Sequence, residues 1–353
     1  MKKTLLLSVV ASTMIMAGGD IAPVEPVVEA PIAEAWNFSG DMVAYTQTID
    51  LQETGDLFGG DETAGLLALS LRATHNDLFA GIGFGAEVTA IGSGEDNGYS
   101  NAGWGLQDGN ALTQGYLTYG MDNISTSLKV GRQHLPKSLS PFAFTEGWQA
   151  VKNSFDAALL VNSSLPNTTL VGAYVTKSNG SVTNLPAFYG KAFADIGDFK
   201  HINGSGDGVW LLTAQNKSFE NLALTGTWYY APNMTSALPT NGGDVNILWG
   251  DATYAADAFT VGIQGGQVDP DGLSSTSAFG AKVAGDLGMF NLLAAYSSVD
   301  DGDVRIANLG TSIKTPLYTQ SILNQDAIAL DSDAWKLSAS VKALAGKWNL
   351  SYI

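Results

Sequence analysis

Cysteine is absent from the 353 residues, so neither a disulfide nor a thiolate metal site is possible. Histidine is almost absent: His75, His134 and His201 are the only three, with no His-x3-His pair to hold a metal. Basic residues are scarce as well. Lys+Arg number 17 against 34 Asp+Glu, a net charge of −17. Such a chain has no cationic surplus with which to displace counterions from nucleic-acid phosphates. Charged residues of both signs make up only 14%, against ~25% in an ordinary soluble domain. Past the N-terminus no stretch of 18 uninterrupted apolar residues occurs, which excludes membrane-spanning helices. What remains is a chain with 41 glycines, 45% hydrophobic and 10% aromatic residues. That is too apolar for intrinsic disorder, and long enough for two soluble domains or one large β architecture.

The first residues are an address. Lys2 and Lys3 precede an apolar run from Leu5 to Ala17, the layout of a signal peptide over residues 1–18, too short to span a bilayer as a helix. Residues 19–35 are rich in Pro, Ala, Val and Glu, and Pro23, Pro26 and Pro31 forbid a continuous helix there. This segment reads as a periplasmic spacer.

From residue 36 onward the hydrophobic period is two. Leu67, Leu69 and Leu71 alternate with Ala68, Ser70 and Arg72. Ile82, Phe84, Ala86 and Val88 alternate with Gly83, Gly85, Glu87 and Thr89. The same pattern recurs at Leu222–Tyr230, Phe259–Gln264 and Trp335–Ala343, and predicts strands with one apolar and one polar face. In 151–162 it sets Val151, Phe155, Ala157, Leu159 and Val161 on one face, against Lys152, Ser154, Asp156 and Asn162.

Short polar turns near 75–77, 122–123, 166–167, 216–218, 256–257, 286–288 and 345–346 alternate with longer segments rich in Gly and acids. Tight turns at one end and long loops at the other predict a transmembrane antiparallel up-and-down β-barrel, with about 15 strands visible. Tyr119, Tyr254, Phe259, Phe290 and Trp348 flank the short turns, where an aromatic girdle would lie. A soluble sandwich would carry more charge on its outer faces, and a solenoid would show a fixed repeat.

Gly131-Arg132-Gln133, a Pro-containing loop ending near Trp148, Asn153-Ser154-Phe155-Asp156-Ala157 and the run Asn162–Tyr174 resemble the major outer membrane porin family of Campylobacter-type bacteria, related to OprD-type porins. The start, Trp36-Asn37-Phe38-Ser39-Gly40, is similar to the first strand of that family. The resemblance implies a channel of 16–18 strands in the outer membrane of a Gram-negative bacterium, commonly a homotrimer, with its third loop folded inward. Residues 132–147 occupy that loop's position. Such barrels end on a strand with a terminal aromatic, whereas this chain ends Ser351-Tyr352-Ile353 on an odd-numbered strand. Even counts close a barrel without an open edge, so truncation by at least one loop and one strand is expected.

If the apolar faces meet lipid, the other faces line water. By parity the lumen-facing charges are Arg72, Glu87, Lys129, Lys152, Asp156, Lys282, Asp286, Lys336 and Lys342, six basic and three acidic. The excess acid sits in long loops: Asp50, Glu53, Asp56, Asp61, Glu62, Glu95, Asp96, Asp269, Asp271, Asp300, Asp301 and Asp303. An acidic mouth draws cations, while a basic wall strip helps anions through; weak cation selectivity is the expectation. The third loop offers Arg132, His134, Lys137 and Glu146 as constriction residues. Arg132 has the wrong parity for the lumen unless its strand has ended. Lys137 and Glu146 are equally read as solvated loop charges, and Lys152 with Asp156 as a structural ion pair.

No catalytic constellation emerges, and Gly81-Ile82-Gly83-Phe84-Gly85 continues as strand where a nucleotide loop needs a helix. The Asp300-Asp301-Gly302-Asp303 run lacks the downstream Glu of an EF-hand; it reads as a solvated acidic loop, with weak divalent-cation binding as the alternative. No cofactor is called for. The functional expectation is therefore not an enzyme but a porin, passing ions and small hydrophilic solutes. A surface adhesin or structural barrel, and a substrate-specific OprD-like channel, are the alternatives.

Overall fold

A strand with one apolar face needs a hydrogen-bonded neighbour on each side, and a tight turn supplies the next one antiparallel. The computed structural model describes residues 36–48, 63–93, 109–147, 151–180, 196–235, 243–320, 328–343 and 346–353. Residues 1–18 and 19–35, with the acids of 50–62 and 95–96, lie outside the described residues. The strands are β1 (Asn37–Thr48), β2 (Thr63–Phe79), β3 (Ile82–Ser93), β4 (Gly109–Met121), β5 (Thr126–Gln133), β6 (Phe155–Asn162), β7 (Thr168–Ser178) and β8 (Lys200–His201). They continue with β9 (Val209–Phe219), β10 (Leu222–Met234), β11 (Gly243–Ala255), β12 (Phe259–Pro270), β13 (Thr276–Leu287), β14 (Phe290–Val299), β15 (Ser332–Ala343) and β16 (Gly346–Tyr352). All pair with their chain neighbours in one antiparallel up-and-down sheet of 16 strands; β8 stands off the path and pairs with β7 alone. Among the described residues β1 pairs only with β2, and β16 only with β15.

Two boundaries differ from the sequence pattern. The first turn falls at Ala80 and Gly81, both at positive φ, instead of 75–77. A register irregularity between His75 and Phe79 lets β2 run on, and the φ signs suit the primed turn of a tight hairpin. β6 begins at Phe155 and not near 148, because the third loop continues through the buried Asn153 and Ser154.

The outer face is apolar and uncovered. Leu71 is 58% exposed, Leu248 65%, Trp335 67% and Leu350 77%, and similar residues cover the outside of every long strand. A water-soluble monomer rarely exposes a contiguous apolar patch beyond a few hundred Å², so this surface is stable only against hydrocarbon. The aromatics flank it at both ends. Tyr119, Tyr254, Phe259, Phe290 and Trp348 are exposed at the short-turn end. At the other end Tyr174 packs on Trp210 (4.5 Å) and Tyr296 on Trp335 (4.6 Å). From Leu222 to Tyr230 on β10 is about 26 Å at ~3.3 Å per residue, enough for a tilted strand to cross the apolar layer.

The inner face divides. Along β6–β11 it is apolar and fully covered: Phe155, Val175, Val209, Leu211, Tyr229 and Ile247 are each no more than 1% exposed. Elsewhere it mixes apolar residues such as Val268, Ala278, Val299 and Ala334 with polar ones such as Glu87, Gln264 and Lys336. Among the described residues the cover is chiefly two loops, L3 (residues 134–154, between β5 and β6, described at 134–147 and 151–154) and L7 (residues 300–331, between β14 and β15, described at 300–320 and 328–331), with Ile202 beside them.

Candidate functional site

The third loop enters the barrel because its apolar centre has somewhere to go. β5 turns into it at Gly131, whose φ of +124° and a backbone oxygen 2.3 Å from an added Cβ admit glycine alone. Leu135, Phe142 and Ala143 are buried. The Phe142 ring meets Tyr229 and Trp249 edge-on, at 5.8 and 5.3 Å between centroids. Phe142 N donates to the Tyr229 hydroxyl (3.0 Å), and Thr213 Oγ1 donates to the Leu139 carbonyl (2.8 Å).

The second loop lies against the first. Val304, Ile306, Ile313 and Leu317 are buried, together with Asn308, Thr311, Thr315 and Thr319. Gly310 lets the chain reach the wall, since a Cβ there would stand 2.6 Å from the Phe155 ring. Beyond the acidic run, residues 304–320 pack inside the sheet. The acidic half, Asp300, Asp301 and Asp303, is exposed but tied down. Ser277 N donates to Asp300 Oδ1 (2.8 Å) and Ser274 N to Asp303 Oδ2 (2.7 Å). Among the described residues no group of three or more His, Asp or Glu lies together as a metal site.

Four third-loop residues were expected at the constriction, and the structure separates them. Glu146 is 2% exposed and accepts hydrogen bonds instead of facing open solvent. Its reading as a solvated charge is corrected, since both loops enclose it. Lys137 Nζ donates to the Thr315 carbonyl (3.0 Å), bridging the loops. His134 has its Nε2 buried, and burial pushes its pKa down to about 4; Glu87 opposes the shift and Lys152, Lys129 and Arg72 assist it. His134 therefore carries no charge at neutral pH. Arg132 keeps the parity of Leu128 and Val130, so it faces outward at the loop end, as its parity warned. It pairs bidentately with Asp156 (2.8 and 3.1 Å), donates to the Leu112 carbonyl and lies 3.2 Å from the Phe199 ring centroid. Placing Arg132 in the constriction is thereby corrected.

Asp156 also leaves the lumen list. β6 turns Phe155 and Ala157 inward beneath the third loop, so Asp156 points outward with Leu160, directly opposite Arg132. Its ion pair is with Arg132, and the expected pair with Lys152 is corrected. The sequence pattern had the right alternation for β6 and the wrong face against lipid, because part of what covers the inner apolar face, Gly310 of L7 against Phe155, is remote in sequence from the strand.

Arg72, Glu87, Lys129, Lys282 and Lys336 alternate with the exposed apolar residues of their strands. Arg72 lies between two carboxylates, Asp41 (2.5 Å) and Glu87. Glu87 is 4% exposed and also accepts from Thr113 Oγ1 (2.6 Å) and Gln114 Nε2 (3.2 Å). Arg72 is thus neutralised where it stands. Lys129 Nζ sits 3.7 Å above the Tyr116 ring, and Lys152 precedes β6 at the loop's end. On the far wall Lys282 and Lys336 share one row, each opposite Ala295 of β14. Lys282 Nζ lies 4.2 Å from the Tyr318 ring centroid, and Lys336 Nζ donates to the Gln320 carbonyl (2.7 Å). Lys342 faces Lys347 across β15–β16 near the short turn, and Asp286 accepts from Asn291 Nδ2 (3.0 Å) at the same end. Tyr318 donates to Asp251, which with burial holds its phenol above the ordinary tyrosine pKa.

Sequence reasoning missed L7 residues, chiefly Asn308, Lys314 and Tyr318. One signal was available: 304–320 contains Val304, Ile306, Leu309, Ile313 and Leu317, too apolar for a solvated loop.

An antiparallel up-and-down barrel with a lipid-compatible outside, and loops packed within, defines the architectural class of the porins. No family model matches the chain, and no curated protein matches it. The fold is similar to that of Pseudomonas aeruginosa OccK3 (OpdO), 15% identical, with 87% of this chain and 72% of that one covered and a TM-score of 0.59. It is similar also to P. aeruginosa OccK8 (OprE), 11% identical, with 86% and 78% covered and a TM-score of 0.59. A third neighbour, P. aeruginosa OccK2 (OpdF), was solved in complex with glucuronate; it is 12% identical, with 86% and 74% covered and a TM-score of 0.58. These neighbours are OprD-type porins, and the likeness extends to the fold.

Proposed function

We propose that this chain is an outer-membrane porin of a Gram-negative bacterium, a channel and not an enzyme, whose lumen favours small organic anions. The observation that carries the reading is the row of Lys282 and Lys336, inward-facing beside the inserted loops. Among the described residues neither has a carboxylate within ion-pair distance. Asp251, the acid nearest in effect to Lys282, already accepts from Tyr318 and Thr253 Oγ1. Ammonium groups in a low-dielectric wall attract an anionic group strongly at short range. The glucuronate bound by OccK2 (OpdF) supports a sugar acid as a solute to try. This is the substrate-specific alternative among the sequence expectations.

A second reading retains weak cation selectivity, and the exposed Asp269, Asp271, Asp300, Asp301 and Asp303 at the loop end favour it. Their field reaches only about a Debye length, ~8 Å at physiological salt, so selectivity rests on the wall nearest the solute. The homotrimer and the finer relation to Campylobacter-type porins stay with the proposal, supported by the motif resemblance of 131–174; native mass measurement in mild detergent decides the former.

The test is electrical. Reconstituted protein in a planar bilayer under a KCl gradient should conduct, and glucuronate should block the current saturably while glucose does not. Equal indifference to both solutes rejects the anion preference, and an absence of conductance rejects the channel.

A further inference from the structure

Glu146 lies on L3, where its N donates to Asn153 Oδ1 (2.7 Å), yet donors to its carboxylate come from L7, more than 160 residues away. Its Oε1 accepts from Asn308 Nδ2 (3.0 Å), from Thr311 Oγ1 and from Lys314 N (3.2 Å). Asn308 completes the joint: Nδ2 also donates to the Phe144 carbonyl (2.8 Å), and Oδ1 accepts from Phe144 N (3.3 Å). Leu309 N donates to the Phe142 carbonyl (2.8 Å). Asn308 is fully buried and Glu146 nearly so.

A buried carboxylate fed by donors from one other segment binds that segment specifically. Water would have to replace every donor at once for either loop to leave, and a partly satisfied network is worse than none. The wall holds each loop through side chains, Tyr229 and Thr213 on L3 and Ser178, Asp251 and Lys336 on L7, and the Glu146–Asn308 joint ties the two loops to each other. Resting on the channel reading above, we propose that L3 and L7 form a single two-piece gate, docked through Glu146 and Asn308, and that they enter or leave the lumen together. Glu146 is a positioning residue in this gate. It does not touch the solute; it fixes the loops that do.

The experiment uses the full chain as Glu146→Ala, Glu146→Gln, Asn308→Ala and the Glu146→Ala/Asn308→Ala double variant, each shown to be folded by heat-modifiable migration in SDS gels. Trypsin supplies one readout, since Lys137 reports on L3 and Lys314 on L7. Glu146→Ala should raise cleavage at both lysines together, by about tenfold or more, the factor to which ~1.4 kcal/mol corresponds. Glu146→Gln keeps an Oε1 acceptor and should restore protection at both sites. The double variant should match the single ones, because both residues act at one joint. Gating events in single-channel records should follow the same order. Cleavage rising in one loop only, or effects of the two single variants that multiply, would overturn the coupled gate. A silent bilayer with coupled proteolysis would count against the channel and leave the joint standing.

Discussion

The inner faces of β6–β11 and of β13–β16 arise from the same alternation of side chains and carry opposite chemistry. Along β6–β11 the inward positions include Phe155, Val175, Leu211, Tyr229, Ile247 and Trp249, a surface that water cannot wet favourably and that L3 covers together with Gly310 of L7. Along β13–β16 the inward positions include Lys282, Ser338, Lys336, Ser340 and Lys342, with the end of L7 laid beside them. One wall is a dock and the other is a lining. Strand periodicity alone says which residues share a face; whether that face meets lipid, water or a folded-in loop depends on contacts remote in sequence.

The polar wall of β2–β4 is where this contrast can be broken most severely. Glu87 is almost wholly buried on the inner face, and Arg72 is the cation that balances it. Arg72→Ala leaves that carboxylate with neutral donors only, Thr113 and Gln114. Removing one partner of a buried ion pair typically costs roughly 3–5 kcal/mol. The exposure of Arg72 and its second partner Asp41 put the expected cost at the lower end of that range. The expected outcome is a lower midpoint for loss of the heat-modifiable form, with Arg72→Ala/Glu87→Gln recovering much of the loss. A double variant as unstable as the single one refutes the pairing.

The lining wall gives a smaller effect, on permeation and not on stability. Lys282→Gln and Lys336→Gln keep length and polarity while removing charge. Each should weaken half-block by glucuronate about tenfold, in line with ~1.5 kcal/mol for a hydrogen bond to a charged group, and should shift the reversal potential toward cations. The same substitution at Lys129, stacked on Tyr116 across the lumen, should do less. Equal effects at all three positions would mean that the field of the whole lumen matters and the particular row does not.

These walls also mark what could be read from the sequence. Fifteen strands, their order and the outward apolar belt were legible because lipid contact forces strict period two, as at Leu67, Leu69 and Leu71. That Arg72, Glu87, Lys129, Lys282 and Lys336 stand on the face opposite the exposed apolar residues of their strands was legible for the same reason. It failed at Asp156, where both faces of β6 are apolar enough that period alone does not choose the lipid side. The parity conflict at Arg132 was visible, but its resolution needed the β5–β6 register that sets it opposite Asp156. L7 was missed because its alternating burial, at Gly302, Val304, Ile306, Asn308 and Gly310, is short, mixes polar with apolar residues, and ends where the Asn308 carbonyl accepts from Thr311 N and Ser312 N.

The joint between dock and lining offers the mildest perturbation, a change of pH. Lys314 lies on L7 beside Glu146, and burial pushes its pKa down to about 7 from the ordinary lysine value; Glu146 opposes the shift, and Lys137 and Lys336 add to it. A depressed lysine pKa means that the docked loops hold fewer protons than released ones between pH 7 and the ordinary lysine pKa. Docking is therefore weakest below pH 7, where Lys314 is charged in both states, and strengthens as pH rises above it. From pH 6 to pH 8 the ratio of docked to released loops should rise severalfold and at most about tenfold, since one pKa unit is worth ~1.4 kcal/mol. Trypsin sensitivity at Lys137, corrected for the enzyme's own pH profile with an unfolded substrate, should fall over that interval, and Lys314→Met should abolish the change. Protection that instead weakens with rising pH would mean that attraction between the Lys314 ammonium and Glu146 outweighs the burial of charge. L7 would then be held to L3 as an ion pair, and the joint would belong electrostatically with Arg72–Glu87 and not with the apolar dock.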